Sequence, residues 1–481
     1  MASWNARKTI IAEEDLAPEH RLKRSLGWPH LIALGVGAIV GTGILTLTGV
    51  GAAKAGPAVI LSFAIAGIIC AAAALAYAEM ATMIPASGSA YTYTYVVIGE
   101  MLAWFVGWSL ILEYSLVVSA VAVGWSGYAS PLLQEALNFP AWLTHGPVLE
   151  GTLAEGTLHI AEIGVNVPAI FIIAVIAGLL IYGVRESANI NALLVIVKVV
   201  ALVVFVAVAL PYVDPANFEP FMPYGFSKSG APGAEVGVMA AAAIIFFAFY
   251  GFDAIATAAE ETKNPARDLS IGIVGSMLLC VLIYMAVAGA AVGALSYTRF
   301  ANSPEPLALI LRELDQPWVA RYLAASAVIA LPTVILAFFY GQSRIFFVMA
   351  RDGLLPPRLA RVSERGSPVR ITLFTAIVVA LLAGVVPLAD LAALANAGTL
   401  TAFIFVSICM LIMRRRAPDA VRTFRTPLPW LVALVAVLGC LYLFYSLPQR
   451  TQLWFLGAHI VGFAIYFAYG GRRSVAGQGA A

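Results

Sequence analysis

The feature that most constrains this chain is a series of apolar runs, most of them long enough to cross a bilayer. A transmembrane helix needs roughly 20 mostly apolar residues. Hydrophobic residues make up 61% of the 481 residues and charged residues only 11%. We therefore predict an all-α integral membrane protein with twelve transmembrane helices. The predicted spans are 31–53, 58–80, 101–128, 165–184, 190–211, 236–259, 271–296, 320–343, 371–387, 391–413, 427–447 and 452–470, with LAD (388–390) between the ninth and the tenth.

The lysine and arginine residues indicate how these spans are oriented. Cytoplasmic segments of membrane proteins carry an excess of Lys and Arg. With the N-terminus inside, the inner segments hold 21 of the 28 Lys and Arg residues, and the long outer loop 131–164 holds none. Both termini are therefore predicted to be cytoplasmic.

Charge and residue spacing argue against several classes of protein. The formal charge of +2 gives no reason to expect a nucleic acid partner. Each of the four cysteines lies in an apolar run, which indicates small core residues and neither a disulfide nor a metal site. No pair of histidines has metal-ligand spacing, and no Ser–His or Asp–Asp constellation is apparent. We predict that the chain is not an enzyme and that it holds no metal and no cofactor.

Two spans contain interruptions at corresponding positions. The first contains GAIVGTGIL (37–45), in which glycine is too frequent for an undisturbed helix, since each Gly costs about 1 kcal/mol relative to Ala. Close packing of small residues is the alternative explanation. The sixth contains FFAFYGFDAIATAAEE (246–261), in which Gly251 interrupts an aromatic cluster. Paired interruptions indicate an inverted-repeat transporter, and a site with both free amides and free carbonyls suits a zwitterion such as an α-amino acid.

One positive charge lies in the middle of a span. Lys198 is the only charged residue of NALLVIVKVVALVVFVAVAL (191–210). A charged side chain at mid-bilayer costs at least about 2.5 kcal/mol, and desolvation favours the neutral form of a lysine. Lys198 is therefore either a group that exchanges a proton or one half of a buried charge pair.

Several segments resemble the amino acid–polyamine–organocation (APC) superfamily, and within it the bacterial members of the cationic amino acid transporter family. The motifs are GAIVGTGIL (37–45), YAEMATMIPASGSAYTYTY (77–95), GWSLILEYSLVVSAVAVGWS (107–126), FFAFYGFDAIATAAEETKNPARDL (246–269) and YGQSRIFFVMARDGLLP (340–356). The resemblance implies a 5 + 5 inverted repeat with discontinuous helices one and six, followed by two C-terminal helices. The implied organisation is an N-terminal tail (1–30), repeat one (31–213), repeat two (236–413), two further helices (427–470) and a C-terminal tail (471–481).

The resemblance also implies substrate contacts at both interruptions. The amides and the hydroxyl of Thr42 and Gly43 would meet the substrate carboxylate. The carbonyls that would meet the α-ammonium include those of Ile39, Phe247, Ala248 and Tyr250. Phe247 would close over the substrate as a gate, with Phe246 and Phe249 as alternatives in that role.

Two acidic residues within spans each have more than one role open to them. A lone membrane carboxylate such as Glu113 is a functional candidate, and by the resemblance it approaches the pocket from helix three. Glu113 would recognise a cationic substrate side chain, or act as a protonatable group, or satisfy an interhelical hydrogen bond. Asp253 follows the second interruption and would either cap the helix start or act as a gate that accepts a proton.

By the same resemblance, Lys198 occupies the place of a coupling ion. In sodium-coupled relatives a sodium ion joins helix one to helix eight, and in proton-coupled members a helix-five lysine takes that place. The ammonium of Lys198 would be held by carbonyls near Gly37 and Val40 and by the Thr333 hydroxyl. Protonated Lys198 would tie helix one to the scaffold, and deprotonation would favour release inward. A structural charge pair with Glu113 or Asp253 is the alternative.

The predicted function is secondary active transport, with protons as the coupling ion, of L-amino acids into the cell across a bacterial inner membrane by alternating access. An exchanger or a uniporter of the same fold is the alternative. An ion channel is disfavoured because the sequence shows no repeated carbonyl filter motif. A nutrient sensor would bind substrate without net flux. Membrane lipid is an expected partner, and a small accessory subunit is left open. Glu113 favours a cationic substrate, whereas the bulky Val334, Phe338 and Phe339 favour a small neutral one.

Overall fold

The computed structural model describes residues 6–7, 26–85, 88–150, 159–182, 188–257, 262–301, 303–356 and 369–475. Most of the two predicted tails, and residues 258–261 of the second interrupted span, lie outside the described residues. The helices are α1 (Trp28–Ile39), α2 (Thr42–Leu45), α3 (Leu47–Ala55), α4 (Val59–Met83), α5 (Ser89–Val97), α6 (Glu100–Leu137), α7 (Val167–Tyr182), α8 (Ala188–Ala209), α9 (Val238–Ile245), α10 (Asp253–Thr257), α11 (Pro265–Ala294), α12 (Tyr297–Phe300), α13 (Pro306–Glu313), α14 (Pro317–Arg351), α15 (Val369–Val385), α16 (Leu388–Arg416), α17 (Pro429–Ser446), α18 (Gln449–Ile465) and α19 (Gly471–Arg473).

Within the described residues, nine helical segments are long and apolar enough to cross a membrane. Three shorter apolar helices, α1, α7 and α15, add further apolar segments. Four helices, α11, α13, α14 and α17, begin at a proline, which is favoured at the first helical position because its missing N–H would be unpaired there in any case. The protein is a multi-pass helical membrane protein.

The prediction of an all-α chain needs one correction. Strands β1 (Val148–Glu150) and β2 (His159–Glu162) pair antiparallel in the predicted outer loop 131–164, after helix α6 has continued to Leu137. A loop outside the apolar spans can satisfy its backbone groups by strand pairing, and apolar-run analysis does not detect strands of three or four residues.

The boundary between the ninth and tenth predicted spans also differs. Residues 388–390 were predicted to separate the two helices, but they form the first turn of α16, and α15 ends at Val385. Pro387 precedes the first turn of α16, and Asp390 lies within that turn, where the helix dipole favours a carboxylate. The break is therefore at residues 386–387.

Helix α6 packs along two other long helices. It spans Glu100–Leu137 and packs against α14 on one side and α16 on another. Helix α1 packs against α8 and α11, and α4 packs against α11. This arrangement brings helices from both halves of the chain around the two interruptions.

Candidate functional site

The first interruption lies between α1 and α2. Helix α1 ends at Ile39, Val40 is extended with φ −74° and ψ 94°, and Gly41 leads into the new helical turn at Thr42. The end of a helix leaves carbonyls without intrahelical partners, and the start of the next leaves free amides. The predicted first span is therefore divided into α1, α2 and α3, with its polar backbone groups buried in the protein interior.

The second interruption lies between α9 and α10. Helix α9 ends at Ile245, residues Phe246–Ala248 form a single 3-10 turn, and α10 begins at Asp253. Gly251 has φ +119°, a conformation that residues with a Cβ rarely adopt. The Asn396 side chain on α16 donates to the carbonyls of Ala243 and Ile244 at 2.7 and 3.0 Å, which satisfies two groups near the end of α9.

The two interruptions are in direct contact. A Cβ added to Gly43 would overlap the backbone of Ala248, and one added to Gly251 would lie 2.9 Å from the carbonyl carbon of Ala38. Two predicted substrate residues, Gly43 and Ala248, are therefore brought together. Thr42 lies against Gly124 of α6, and its hydroxyl is 3.5 Å from the Val121 carbonyl.

The ammonium of Lys198 reaches the end of helix α1. Its Nζ donates to the Gly37 carbonyl at 3.0 Å and to the Thr333 hydroxyl on α14 at 3.2 Å. Val40 and Lys198 also line one small cavity, which has room for about one water molecule. Lys198 thus connects α8, α1 and α14 at a point where α1 has a carbonyl close to its end.

Glu113 and Asp253 are buried next to other groups. Glu113 on α6 lies against Gly398 and Thr399 of α16, and neither carboxylate oxygen accepts a hydrogen bond of good geometry from the described residues. Asp253 accepts from the Tyr114 hydroxyl at 2.8 Å and from the Gly251 amide at 3.1 Å. The Gly251 amide lies before the helix, whereas an N-cap carboxylate accepts from amides two or three residues after it, so this bond holds the turn that leads into α10.

Aromatic side chains surround the second interruption. The rings of Phe247 and Tyr250 pack edge to face at 5.0 Å, and Phe338 of α14 packs against both Tyr250 and Tyr114, at 6.1 and 5.3 Å. Phe247 is only 5% exposed. The Tyr250 hydroxyl is buried and has no hydrogen-bond partner among the described residues.

Three residues in contact with the interruptions were missed in the sequence. Tyr284 donates to the Ile39 carbonyl at 2.8 Å, Tyr128 donates to the Leu45 carbonyl at 2.7 Å, and Asn396 binds the end of α9. In the sequence, the only indication of each residue was that a polar side chain lies within a predicted apolar span. Among the described residues, no group of three or more His, Cys, Asp and Glu could hold a metal ion.

Several known proteins are similar to this chain over most of its length. A family model described as amino acid permease matches residues 26–468. The chain is 43% identical to the branched-chain amino acid permease BcaP of Bacillus subtilis (strain 168), with 96% of each chain covered. It is 40% identical to the methylthioribose transporter of the same organism, with 99% of each covered. It is 37% identical to the vacuolar cationic amino acid transporter 2 of Arabidopsis thaliana, over 86% of this chain and 63% of that one. These relatives are named as transporters and not as enzymes.

Proposed function

We infer that this chain, which belongs to the amino acid permease family, imports a neutral aliphatic L-amino acid together with a proton. The observation that carries the proposal is the contact of Lys198 with the Gly37 carbonyl and the Thr333 hydroxyl. A lysine on one helix that binds the end of an interrupted helix can change that helix's attachment by gaining or losing one proton.

The proposed architecture is twelve spans, in a 5 + 5 inverted repeat (31–213 and 236–413) followed by two helices (427–470). Both termini are on the cytoplasmic side of a bacterial inner membrane. Support comes from the two interruptions, which lie at corresponding positions of the two halves and contact each other. Exposed apolar side chains on α8 and α18 suit contact with lipid.

The proposed substrate site lies between the two interruptions. The amides of Thr42 and Gly43 would bind the carboxylate, because they open a new helical segment after a break. The α-ammonium would bind the carbonyls of Ile39, Phe247, Ala248 and Tyr250. Phe247 is proposed to close the site, and Asp253 to hold the start of α10 and so influence the gate.

The proposed coupling step is a change in the attachment of α1. Protonated Lys198 donates to Gly37 and Thr333 and so joins α1 to α14 in the substrate-binding state. After the proton leaves, the amine is neutral, and charge-assisted hydrogen bonds are replaced by weaker ones. Helix α1 can then separate from α14, and the substrate and the proton are released inward.

The proposed substrate is an amino acid of the leucine, isoleucine and valine class. Two similar proteins are named as branched-chain amino acid permeases, at 43% and 34% identity. Val334 lies beside Gly41, and Phe338 beside Tyr250, so the walls contributed by α14 are apolar. Glu113 contacts α16 through Gly398, which favours a structural or proton-linked role over recognition of a cationic side chain.

Uptake into proteoliposomes tests the coupling. We expect wild-type leucine uptake to rise with an inwardly directed proton gradient and to fall with a protonophore. Lys198→Ala should lose the gradient-driven component, whereas Lys228→Ala, which removes a lysine of the predicted outer face, should keep it. Uptake that ignores both pH and protonophore contradicts proton coupling, and uptake that requires internal amino acid indicates an exchanger.

A second candidate substrate is methylthioribose. The observation that favours it is the 40% identity to a methylthioribose transporter over 99% of both chains. A ligand that binds the folded protein raises its unfolding temperature by an amount that grows with the ratio of ligand concentration to Kd. A thermal-shift comparison of leucine, isoleucine, valine, alanine, arginine and methylthioribose therefore decides between them, and stabilisation by methylthioribose alone would overturn the amino acid proposal.

A further inference from the structure

Tyr284 contacts the first interruption from helix α11, which contributes no residue to the proposed site. Its side chain is fully buried, and its hydroxyl donates to the Ile39 carbonyl at 2.8 Å. Ile39 is the last residue of α1, so its carbonyl is one of those without a regular intrahelical partner. The hydroxyl therefore holds the carbonyl at the very end of the broken helix.

The ring of Tyr284 also contacts the second interruption. It packs against Phe249, which lies between α9 and α10, at 5.2 Å, and against Phe63 of α4 at 6.1 Å. Phe249 and Phe63 pack edge to face with each other at 6.0 Å. The orientation of the hydroxyl is thus determined by aromatic packing between α4, α11 and the second interruption.

The chemistry of the carbonyl allows a further ligand. A carbonyl oxygen has two lone pairs, and Tyr284 occupies one of them. Within the part of the chain that the structure describes, no backbone N–H outside the regular helices donates to the Ile39 carbonyl, which leaves its second lone pair for an N–H donor. Two residues earlier, Lys198 donates to the Gly37 carbonyl from a different helix. Separate side chains therefore hold two nearby carbonyls at the end of α1.

We propose that Tyr284 is a positioning residue for the α-ammonium of the substrate. Its hydroxyl keeps the Ile39 carbonyl directed into the break, and the aromatic contact with Phe249 aligns that carbonyl with the second interruption. The inference rests on the proposed function, because it takes the substrate to be an amino acid bound at the two interruptions.

The variant Tyr284→Phe tests this directly, because it keeps the ring packing and removes only the hydroxyl. The matched control is Tyr95→Phe, which also removes a buried tyrosine hydroxyl, one that donates to the Glu100 carboxylate at 2.8 Å and contacts neither interruption's carbonyls. We expect Tyr284→Phe to bind leucine about tenfold more weakly than wild type, because one hydrogen bond that orients a ligand-binding group is lost. Tyr95→Phe should bind leucine within about twofold of wild type.

A second ligand separates positioning from general damage. The α-hydroxy acid with the leucine side chain keeps the carboxylate and lacks the ammonium. If the Tyr284 hydroxyl acts through the ammonium site, the constant with which this hydroxy acid inhibits leucine binding should differ by less than about twofold between Tyr284→Phe and wild type. Equal weakening of leucine and the hydroxy acid, or equal leucine affinity in the two tyrosine variants, overturns the inference. If wild type binds no amino acid, the proposed function itself fails.

Discussion

Single glycines allow the two interrupted helices to touch. At Gly43 a side chain would overlap the backbone of Ala248, and at Gly251 it would meet the backbone of Ala38. Gly251 carries a second constraint, because its φ of +119° lies in a region that L-residues rarely occupy. The sequence indicated Gly251 as a break in an aromatic cluster, but the close approach to Ala38 depends on how the two helices pack.

Gly251→Ala should lower the free energy of unfolding by about 2 kcal/mol and reduce transport, because backbone strain and a clash with Ala38 act together. Thermal unfolding in detergent and leucine uptake measure the two effects. The control is Gly289→Ala on α11, where an added Cβ meets no atom within 4 Å. It should be neutral or gain up to about 1 kcal/mol from helix propensity. Equal unfolding temperatures for the two variants would contradict this account.

At the scale of helices, the interruptions are stable because side chains of other helices donate hydrogen bonds to the carbonyls that lack a partner within their own helix. Asn396 of α16 binds two carbonyls of α9, Tyr128 of α6 binds the Leu45 carbonyl, and Lys198 of α8 binds the Gly37 carbonyl. Irregular backbone at membrane depth is tolerated where protein groups or a cavity satisfy it. A helix therefore breaks at these positions at lower energetic cost than it would in lipid alone.

Asn396→Ala should destabilise the protein by about 2 kcal/mol, because it leaves the buried carbonyls of Ala243 and Ile244 without that donor. The matched control is Ser407→Ala on the same helix, whose buried hydroxyl donates only to the Phe403 carbonyl one turn earlier. We expect that control to change stability by less than about 1 kcal/mol, since this bond duplicates the regular helix bonding. Denaturant or thermal unfolding compares them, and similar losses in both would contradict the special role of Asn396.

At the scale of the whole molecule, a buried ionic cluster joins distant parts of the chain. Glu79 of α4 accepts from Arg414 of α16 at 2.6 and 2.7 Å and from the Thr426 amide at 2.8 Å, and Arg422 lies at 3.3 Å. Glu79 is fully buried, and the Arg422 side chain is 2% exposed. These contacts anchor the segment before α17 to helices α4 and α16.

Glu79→Gln should lower the free energy of unfolding by about 3 kcal/mol, because it leaves the buried Arg422 without a counter-charge. Glu313→Gln serves as the control, since it breaks an ion pair with Arg299 that is partly exposed. Such a pair contributes about 0–1 kcal/mol. Thermal unfolding at two salt concentrations measures both variants. An effect of Glu79→Gln as small as that of Glu313→Gln would show that the cluster does not anchor the segment.

The apolar runs, the glycine-rich interruption at 37–45 and the isolated Lys198 could all be recognised in the sequence, because each is a local departure from a regular pattern. Apolar length alone predicts a multi-pass helical protein. The family motifs add the expectation of a substrate site at the interruptions. The strand pair β1–β2 and the start of α16 were missed because strands of three or four residues and the exact ends of helices leave weak signals in a sequence.

Which residues meet was decided by the tertiary structure. Tyr284 and Ile39 are 245 positions apart, and Asn396 and Ala243 are 153 apart. Helices inside a membrane protein are apolar on faces toward lipid as well as toward protein, so hydrophobic periodicity does not indicate which face packs against which partner. The sequence by itself indicated that two of the apolar spans are interrupted and that a lysine lies in the middle of a third. Only the packing of α4, α8, α11, α14 and α16 around those breaks determined which side chain satisfies each released carbonyl, because that depends on contacts between helices far apart in the chain.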